Sequence, residues 1–326
     1  MKIFIDAPLP LSGTVGSLLR EAVRVLESAA LPTARQEAEW LLAHLLGVER
    51  WALHLEPERP VPSRVGERFA SLLVRRRRGE PLQHLLGWEE FCGLRLRVTP
   101  EALIPRPETE LLVEWALEIL RGSGVSERQG LVIDLGAGSG AIACALARSL
   151  PSVSVVGVDI SAGALGVARQ NVRTLGLDGQ VRLVRGDLFG PLAHPRRVPT
   201  LEAWVRTQAG GVPTPVAWVP ARPAADLVIA NPPYIASGEL GTLPVEVRDY
   251  EPRQALDGGP DGMAFHRRII TDAPAYLRAG GWLLVEAGEG QAEALAGMLE
   301  AARAFEAIEV RRDLQGKDRM IGARRR

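Results

Sequence analysis

The spacing of apolar residues divides the chain into two parts with different periods. From Gly16 to about Gly87, apolar side chains recur every three or four positions, as at Leu18 and Ala22, which predicts a small bundle of amphipathic helices. After Gly130 the pattern changes to short apolar runs that alternate with helical stretches. Because strands that alternate with helices usually form a parallel sheet, this second part is predicted to be an α/β domain.

The predicted strands of the second part can be read directly from the sequence. They are "LVIDLG", "VSVVGVDI", "VRLVRGD", "ADLVIANPPY", "WLLVEAG" and a last pair within "FEAIEVRRDLQGKDRMIGA". The turn at Gly316 makes the last pair antiparallel. We therefore expect a seven-stranded, mostly parallel sheet with helices on both faces.

Local signals at the predicted helix ends refine this division. Thr33 with Gln36 three residues later is typical of a capping box that starts the second helix, and Gly47 supplies a left-handed stop. The prolines of "PRPETE" favour an extended segment, after which Thr109 is predicted to begin a helix over 110–120. The predicted organisation is a helical domain at 1–88, an extended or hairpin connector at 89–109 and the α/β domain at 110–326.

A proline-rich stretch interrupts the α/β pattern. Residues 191–223 contain seven prolines and no clear periodicity. Structureless segments of this length are uncommon inside a compact domain. We interpret this stretch as a mobile surface insertion, with an ordered lid as the alternative.

Composition excludes several classes of protein. The 39 basic and 39 acidic residues balance, so no overall charge favours nucleic acid. The N-terminus is unlike a secretory signal, and no apolar run is long enough to span a membrane. Cys92 and Cys144 are far apart and the histidines are scattered, so neither a disulfide framework nor a metal site is expected. These features predict a soluble cytoplasmic protein with no membrane or nucleic-acid partner.

Four consecutive arginines, Arg75–Arg78, lie near the end of a predicted helix. Positive charge there complements the helix dipole, so a solvated helix terminus is one interpretation. Contact with an acidic partner surface is the other. The sequence does not decide between them.

A glycine-rich loop follows the first predicted strand of the α/β domain. In "DLGAGSGAIACALA", Gly136, Gly138 and Gly140 stand between strand and helix, where a cofactor can approach the backbone at a helix N-terminus. Asp159 ends the next strand and is suited to bind ribose hydroxyls. A nicotinamide-dependent dehydrogenase also fits these residues, as the loop matches the relaxed dinucleotide fingerprint.

Asn231-Pro232-Pro233-Tyr234 argues against that alternative. Ligands of open α/β sheets bind beyond the carboxyl ends of strands, so these residues are expected beside the glycine loop. An amide or aromatic amine nitrogen is a poor nucleophile because its lone pair is delocalised. Oxygens of the Asn231 side chain and the Pro232 backbone could accept its N–H groups, while the prolines stiffen the segment and Tyr234 offers a surface for stacking.

The chain resembles the protein-(glutamine-N5) methyltransferases that modify peptide chain release factors. The resemblance is carried, in the family's order, by "RRRRGEPLQHLLGWEEFCG", "LIPRPETE", "DLGAGSGAIACALA", "NPPYI", "YEPRQALDGGPDGM" and "GKDRM". It implies a class I, Rossmann-like methyltransferase fold, S-adenosyl-L-methionine as cofactor and a class I release factor as protein substrate. It also implies that the N-terminal helical domain contacts the factor; the chain is expected to be a monomer.

The resemblance also implies roles for particular residues. Asn231, Pro232, Pro233 and Tyr234 would hold the acceptor glutamine of the factor's Gly-Gly-Gln loop, with Asn231, Pro232 and Tyr234 forming the catalytic group. The implied cofactor-binding residues are Asp134, Gly136, Ala137, Gly138, Ser139, Gly140, Asp159, Asp187, Leu188 and Asn231. Leu188 departs from the family pattern, since some relatives carry an aromatic residue beside the adenine.

Two alternatives remain at this point. Adenine-N6 DNA methyltransferases share the cofactor loop and the NPPY sequence, but they are expected to carry a basic target-recognition region for phosphate contacts. A non-enzymatic module that binds a factor or the ribosome would explain the helical domain and leave Asn231–Tyr234 without a role.

Overall fold

The computed structural model describes residues 12–125, 129–193 and 225–326. The described residues divide into two compact units. One comprises residues 12–88 together with Pro244–Tyr250, and the other comprises the described parts of Glu89–Leu243 and Glu251–Arg326. A segment distant in sequence is therefore built into the helical unit.

The helical unit confirms the helices predicted from the three-to-four-residue spacing. Its main elements are β1 (Gly13–Thr14), α1 (Val15–Glu27), α2 (Ala34–Leu46), β2 (Pro60–Val61), α3 (Ser63–Arg77) and α4 (Leu82–Leu86). Their apolar faces form one buried cluster that includes Leu18, Ala22, Leu41 and Phe69. A further short helix, Val245–Arg248, belongs to this unit.

The ends of α2 confirm one prediction and correct another. Gly47 has a left-handed conformation, with φ of +65°, and stops the helix as expected. The capping box at Thr33 is wrong: its side chain makes no capping hydrogen bond and instead donates to the Glu37 carboxylate at 2.8 Å. Thr33 therefore joins a side-chain network instead of satisfying a backbone amide.

At Arg76 the structure shows neither a solvated helix terminus nor contact with a separate acidic partner, the two interpretations of the arginine run. It is only 4% exposed and donates to the carboxylates of Glu37 and Glu246, the latter at 3.0 Å. Arg75 pairs with Glu80 at 2.5 Å. The acidic surface that Arg76 meets is thus part of the same helical unit, because burying a guanidinium requires charged partners close by.

The second unit contains the predicted seven-stranded, mostly parallel sheet. In the order of the sheet, the strands are β10 (Phe305–Arg312), β11 (Asp318–Arg325), β9 (Leu277–Glu286), β8 (Ala225–Ala230), β5 (Gly130–Leu135), β6 (Val153–Asp159) and β7 (Val181–Arg185). Only β11 runs antiparallel to its neighbours among these strands. A separate two-stranded sheet pairs β3 (Trp88–Phe91) with β4 (Leu94–Arg97), where the sequence predicts a hairpin or connector.

Helices pack on the sheet and bury it in two apolar clusters. They are α5 (Pro107–Gly122), α6 (Ala141–Ser149), α7 (Ala162–Thr174), α8 (Ala264–Asp272) and α9 (Ala292–Ala301). Helix α5 starts earlier than predicted, because Arg106 is its N-cap and Pro107 occupies the first turn, where its missing N–H costs nothing. Thr109 consequently lies inside the helix and is free to bond elsewhere.

The predicted insertion falls almost entirely outside the described residues. Pro191 and Leu192 belong to a short 3-10 helix, Gly190–Leu192, and 194–224 are not described. In the described part of the chain, no helix has the length and apolar character needed to cross a bilayer.

Candidate active site

The strand order of the sheet brings the predicted site residues together. Strand β5 lies between β6 and β8, with Leu135 opposite Val158 on one side and Ala230 on the other. The chain leaves β5 into the glycine loop, and it leaves β8 into Asn231. Strand β5 is the point at which the sheet order reverses direction, and a crevice forms at such a point beyond the carboxyl ends of the strands.

The glycine loop is held open by left-handed backbone. Gly136, Gly138 and Gly140 have φ of +74°, +55° and +80°, which residues with a Cβ rarely adopt. A Cβ at Gly136 would lie 3.7 Å from the backbone oxygen of Asn231. The loop therefore passes close to the NPPY segment.

Asp159 supports the loop from the neighbouring strand. Its two carboxylate oxygens accept the amides of Gly138 and Ser161, each at 2.8 Å. Each carboxylate oxygen has more than one lone pair, so Asp159 can also accept hydrogen bonds from a ligand. The half-buried Asp159 is thus fixed in orientation before any ligand binds.

A cavity of about 260 Å³ lies at these strand ends. Its lining includes eight of the predicted site residues: Gly136, Gly138, Asp159, Asp187, Leu188, Asn231, Pro232 and Pro233. Five others do not line it: Asp134, Ala137, Ser139, Gly140 and Tyr234. Four of these five lie in or next to the glycine loop and are buried, so their place is in supporting the loop.

Asp134 is a buried carboxyl below the loop. It is fully buried at the end of β5, and burial, with the nearby charge of Asp159, raises its pKa to about 7. The Ala143 amide in the first turn of α6 acts in the opposite direction. Asp134 is not among the residues that line the cavity, and its role in cofactor binding stays a prediction.

Asp187 and Leu188 form another wall of the cavity, with Phe265 and Arg268 of α8. Arg268 donates to Asp187 at 2.7 Å. Leu188 has a positive φ of 46° and is buried. An aromatic ring is therefore present on this wall, although it comes from Phe265 and not from position 188.

The NPPY segment is anchored on the side away from the cavity. Asn231 donates from Nδ2 to the Thr109 hydroxyl at 3.0 Å, and the Tyr234 hydroxyl donates to Glu286 at 3.3 Å. Burial and the charge of Glu286 raise the pKa of Tyr234, so its hydroxyl stays neutral. These bonds position the segment at the cavity edge.

Several residues that sequence reasoning did not select belong to the site. Glu286 ends the apolar run of β9, and an acidic residue in that place is the signal that could have identified it. Asn171 of α7 donates to the Ser139 oxygen at 2.9 Å and fixes the glycine loop. Glu101 lines the cavity, but no motif marks it.

The cavity fits S-adenosyl-L-methionine. The cavity lining combines glycine backbone, an oriented Asp159 carboxylate and the apolar side chains of Leu188 and Phe265, which are the kinds of group that a methionine, a ribose and an adenine require.

Comparison with known proteins identifies the family. The family model for the PrmC N-terminal domain matches residues 17–87, and a methyltransferase domain model matches 132–197. The release factor glutamine methyltransferase of Geobacter sulfurreducens is 40% identical over 299 residues, covering 92% of each chain. The chain belongs to the release factor glutamine methyltransferase family.

Other members of the family show the same breadth of similarity. The enzyme of that name from Moorella thermoacetica is 38% identical over 96% of this chain and 99% of its own length. The enzyme of that name from Cereibacter sphaeroides is 37% identical over 94% of this chain and 96% of its own length. The chain is thus a methyltransferase that uses S-adenosyl-L-methionine, and the dehydrogenase alternative is excluded.

Proposed function

We propose that this enzyme methylates the side-chain amide nitrogen, N5, of the glutamine in the Gly-Gly-Gln loop of class I peptide chain release factors. The observation that carries the proposal is the position of Asn231, which follows β8 directly and lines the same cavity as Gly136 and Asp159. The names and the near full-length coverage of the relatives support the choice of a release factor glutamine.

The proposed chemistry is direct transfer of a methyl group to a carboxamide nitrogen. S-adenosyl-L-methionine supplies an electrophilic methyl group on its sulfonium. The Asn231 Oδ1 atom and the Pro232 carbonyl accept the two N–H groups of the glutamine side chain and turn its nitrogen lone pair toward that methyl group. The thioether S-adenosyl-L-homocysteine would be the leaving group, and one N–H proton would pass to solvent after the nitrogen has been alkylated. Because the transfer is direct, no covalent enzyme intermediate is required.

Positioning accounts for most of the proposed rate enhancement. Holding two reactants in attack geometry can lower a barrier by roughly 7 to 11 kcal/mol. Pro232 and Pro233 restrict the backbone on which the acceptor oxygens lie. Tyr234 would pack against the planar amide, and its hydroxyl is already held by Glu286.

The partner assignments extend the same proposal. The helical domain, 1–88 in the predicted division, would contact the release factor at a surface away from its Gly-Gly-Gln loop, because one glutamine side chain offers too few contacts for specificity. The enzyme would act in the cytoplasm as a monomer, without nucleic acid or a membrane as partner.

One assay separates this function from its alternatives. The full-length enzyme is offered an intact class I release factor, the same factor with its loop glutamine changed to alanine, and adenine-containing duplex DNA. Methyl incorporation is measured by mass spectrometry. We expect methylation of the intact factor alone; methyl transfer to DNA, or equal transfer to both forms of the factor, would contradict the proposal.

A further inference from the structure

A buried chain of hydrogen bonds runs from Asn231 to the end of β9. Asn231 Nδ2 donates to the Thr109 hydroxyl at 3.0 Å, and that hydroxyl donates to Glu286 Oε2 at 2.6 Å. Tyr234 donates to the other oxygen, Glu286 Oε1, at 3.3 Å. We propose that Glu286 and Thr109 are positioning residues that determine which end of the Asn231 carboxamide faces the acceptor glutamine.

The direction of these bonds follows from the chemistry of the groups. An ionised carboxylate only accepts hydrogen bonds, and a threonine hydroxyl has a single hydrogen to donate. With that hydrogen directed to Glu286, the Thr109 oxygen can only accept, and the Nδ2 end of Asn231 is the donor that satisfies it. Asn231 Oδ1 is thereby left as the end that can accept an N–H from the substrate.

Burial makes this direction costly to reverse. Glu286 is 1% exposed and Thr109 is 4% exposed, so water does not offer alternative partners to them. The backbone oxygen of Glu286 is held by His266 Nε2 at 2.8 Å, which fixes the main chain at the same position. A reversed Asn231 would place its oxygen against an oxygen that has no hydrogen left to donate, and unmatched buried polar groups are strongly unfavourable.

The charges around Glu286 link this arrangement to pH. The pKa of Glu286 is raised to about 7, mainly by burial and also by the charge of Glu108, while the hydrogen bonds from Thr109 and Tyr234 and the charge of Arg319 act in the opposite direction. Below that pH the protonated carboxyl can itself donate to Thr109. The hydroxyl hydrogen of Thr109 is then released, and the preference for one orientation of Asn231 is lost.

The inference rests on the proposed function, and Thr109 provides the most direct test. Thr109→Val removes the hydroxyl at almost constant volume, while Thr109→Ser keeps it. We expect Thr109→Val to lower kcat for release-factor methylation about tenfold to a hundredfold, in line with small misplacements of reacting groups. Thr109→Ser should stay within about threefold of the wild type, and the affinity for S-adenosyl-L-methionine should be unchanged in both variants.

Glu286→Gln supplies the second test, because a carboxamide can donate or accept and no longer dictates the direction. The matched control is Asp226→Asn, which also neutralises a buried carboxylate. Asp226 is the second residue of β8 and pairs with Arg278 at 2.6 Å. We expect kcat of the wild type to fall as the pH drops below about 7. Glu286→Gln should have a lower kcat at pH 8 and lack this acidic limb, whereas Asp226→Asn should keep it.

The two proposals fail in different ways. Absence of release-factor methylation by the wild-type enzyme contradicts the proposed function. A wild type that methylates the factor, together with Thr109→Val of equal kcat, contradicts the positioning inference alone. Cofactor affinity measured by calorimetry shows that each variant is folded, and an equal loss of kcat in Thr109→Val and Thr109→Ser would also overturn the inference.

Discussion

Two carboxyl groups beside the same loop have different environments. Asp159 is half-buried and accepts two backbone amides, whereas Asp134 is fully buried and has a pKa raised to about 7. The end of a predicted strand indicated Asp159, and the family resemblance implied Asp134. Neither signal could distinguish a carboxylate that faces the cavity from one that lies beneath the loop, since that depends on strand twist and packing.

The raised pKa of Asp134 predicts a pH dependence of stability. Its folded-state pKa lies above the unfolded value of roughly 3.9, so the folded protein holds a proton that the unfolded chain releases. The stabilisation is complete below pH 4 and is lost as the pH rises through about 7. The loss amounts to as much as about 1.4 kcal/mol for each pH unit between the two pKa values.

Asp134→Asn removes this proton exchange. The free energy of unfolding, measured by urea denaturation at pH 5, 6, 7 and 8, should rise for the variant relative to the wild type as the pH increases. Glu286 is present in both proteins and contributes equally. Parallel curves for wild type and variant would show that Asp134 does not titrate in this range.

Asn231 offers a prediction about catalysis. Asn231→Ala removes the proposed acceptor of a substrate N–H without changing the glycine loop. The loss in kcat should be about a hundredfold to a thousandfold, as for removal of one preorganised hydrogen-bonding group. Single-turnover methylation of the release factor measures this directly.

Asp159→Ala is the contrasting variant for that experiment. It should weaken binding of S-adenosyl-L-methionine first, because its carboxylate lines the cavity and orients Gly138. Asn231→Ala should bind the cofactor normally by calorimetry. Near-normal turnover in Asn231→Ala would remove Asn231 from the proposed mechanism.

At the scale of elements, periodicity predicted the strands well and their ends less well. The sequence "WLLVEAG" indicated β9, but the strand starts five residues earlier, at Leu277. Gly280 and Gly281 interrupt the apolar pattern near the beginning of the strand. The pairing with β8 shifts register there, as expected of a bulge. Helix α8 ends at Asp272, two residues before Pro274, which cannot donate a backbone hydrogen bond.

Some contacts of the site could not be predicted from local sequence patterns. Thr109 was interpreted as the start of a helix because threonine favours that place. Its actual partner, Glu286, is 177 residues away in the sequence. A contact of this kind depends on how the sheet and α5 pack, which neither propensity nor spacing specifies.

The backbone at Gly258 packs closely against the backbone of the NPPY segment. A Cβ at Gly258 would lie 2.8 Å from the Pro233 oxygen and 2.8 Å from Tyr234 Cα, and the Gly258 amide donates to the Ile235 oxygen at 2.8 Å. The same Cβ would lie 2.7 Å from the Gly262 oxygen, so Gly258→Ala is expected to displace the backbone of the NPPY segment along with its own loop. We expect kcat to fall about a hundredfold, because a shift of about 1 Å in a reacting group can have that effect.

Gly166→Ala is the matched control, since a Cβ there meets nothing within 4 Å. Gly166 lies within α7, where alanine should stabilise the helix by roughly 0.5 to 1 kcal/mol. Its turnover should equal that of the wild type. Full activity in Gly258→Ala would mean that the NPPY segment tolerates displacement.

At the scale of the whole molecule, the helical unit is discontinuous in sequence. Periodicity predicted a boundary near residue 88, and the chain does change units there, yet Pro244–Tyr250 is also part of the helical unit. Within this unit the Tyr250 hydroxyl donates to the Arg78 oxygen at 3.3 Å. A return of the chain after more than 150 residues leaves no periodic signal, so sequence analysis could not detect it.

Arg76 makes this discontinuity testable. It binds Glu37 of α2 and Glu246 of the returning segment, and the Glu37 side chain is 8% exposed. Arg76→Met keeps an unbranched apolar side chain at this position but leaves the Glu37 charge buried without its partner. Breaking a buried pair in this way costs roughly 3 to 5 kcal/mol. Hydrogen exchange of the α2 and α3 amides, which reports the helical unit itself, should accelerate accordingly.

Two further variants identify the cause of the loss. Arg78→Ala changes an exposed arginine of the same run and should alter stability by less than about 0.5 kcal/mol. The double variant Arg76→Met with Glu37→Met removes both buried charges and should recover most of the lost stability, since apolar replacements of a buried pair are often neutral. If the double variant is as unstable as Arg76→Met alone, the unpaired Glu37 charge is not the reason for the lost stability. The contact of Arg76 with Glu246 would then be the main link between the helices and the returning segment, Pro244–Tyr250.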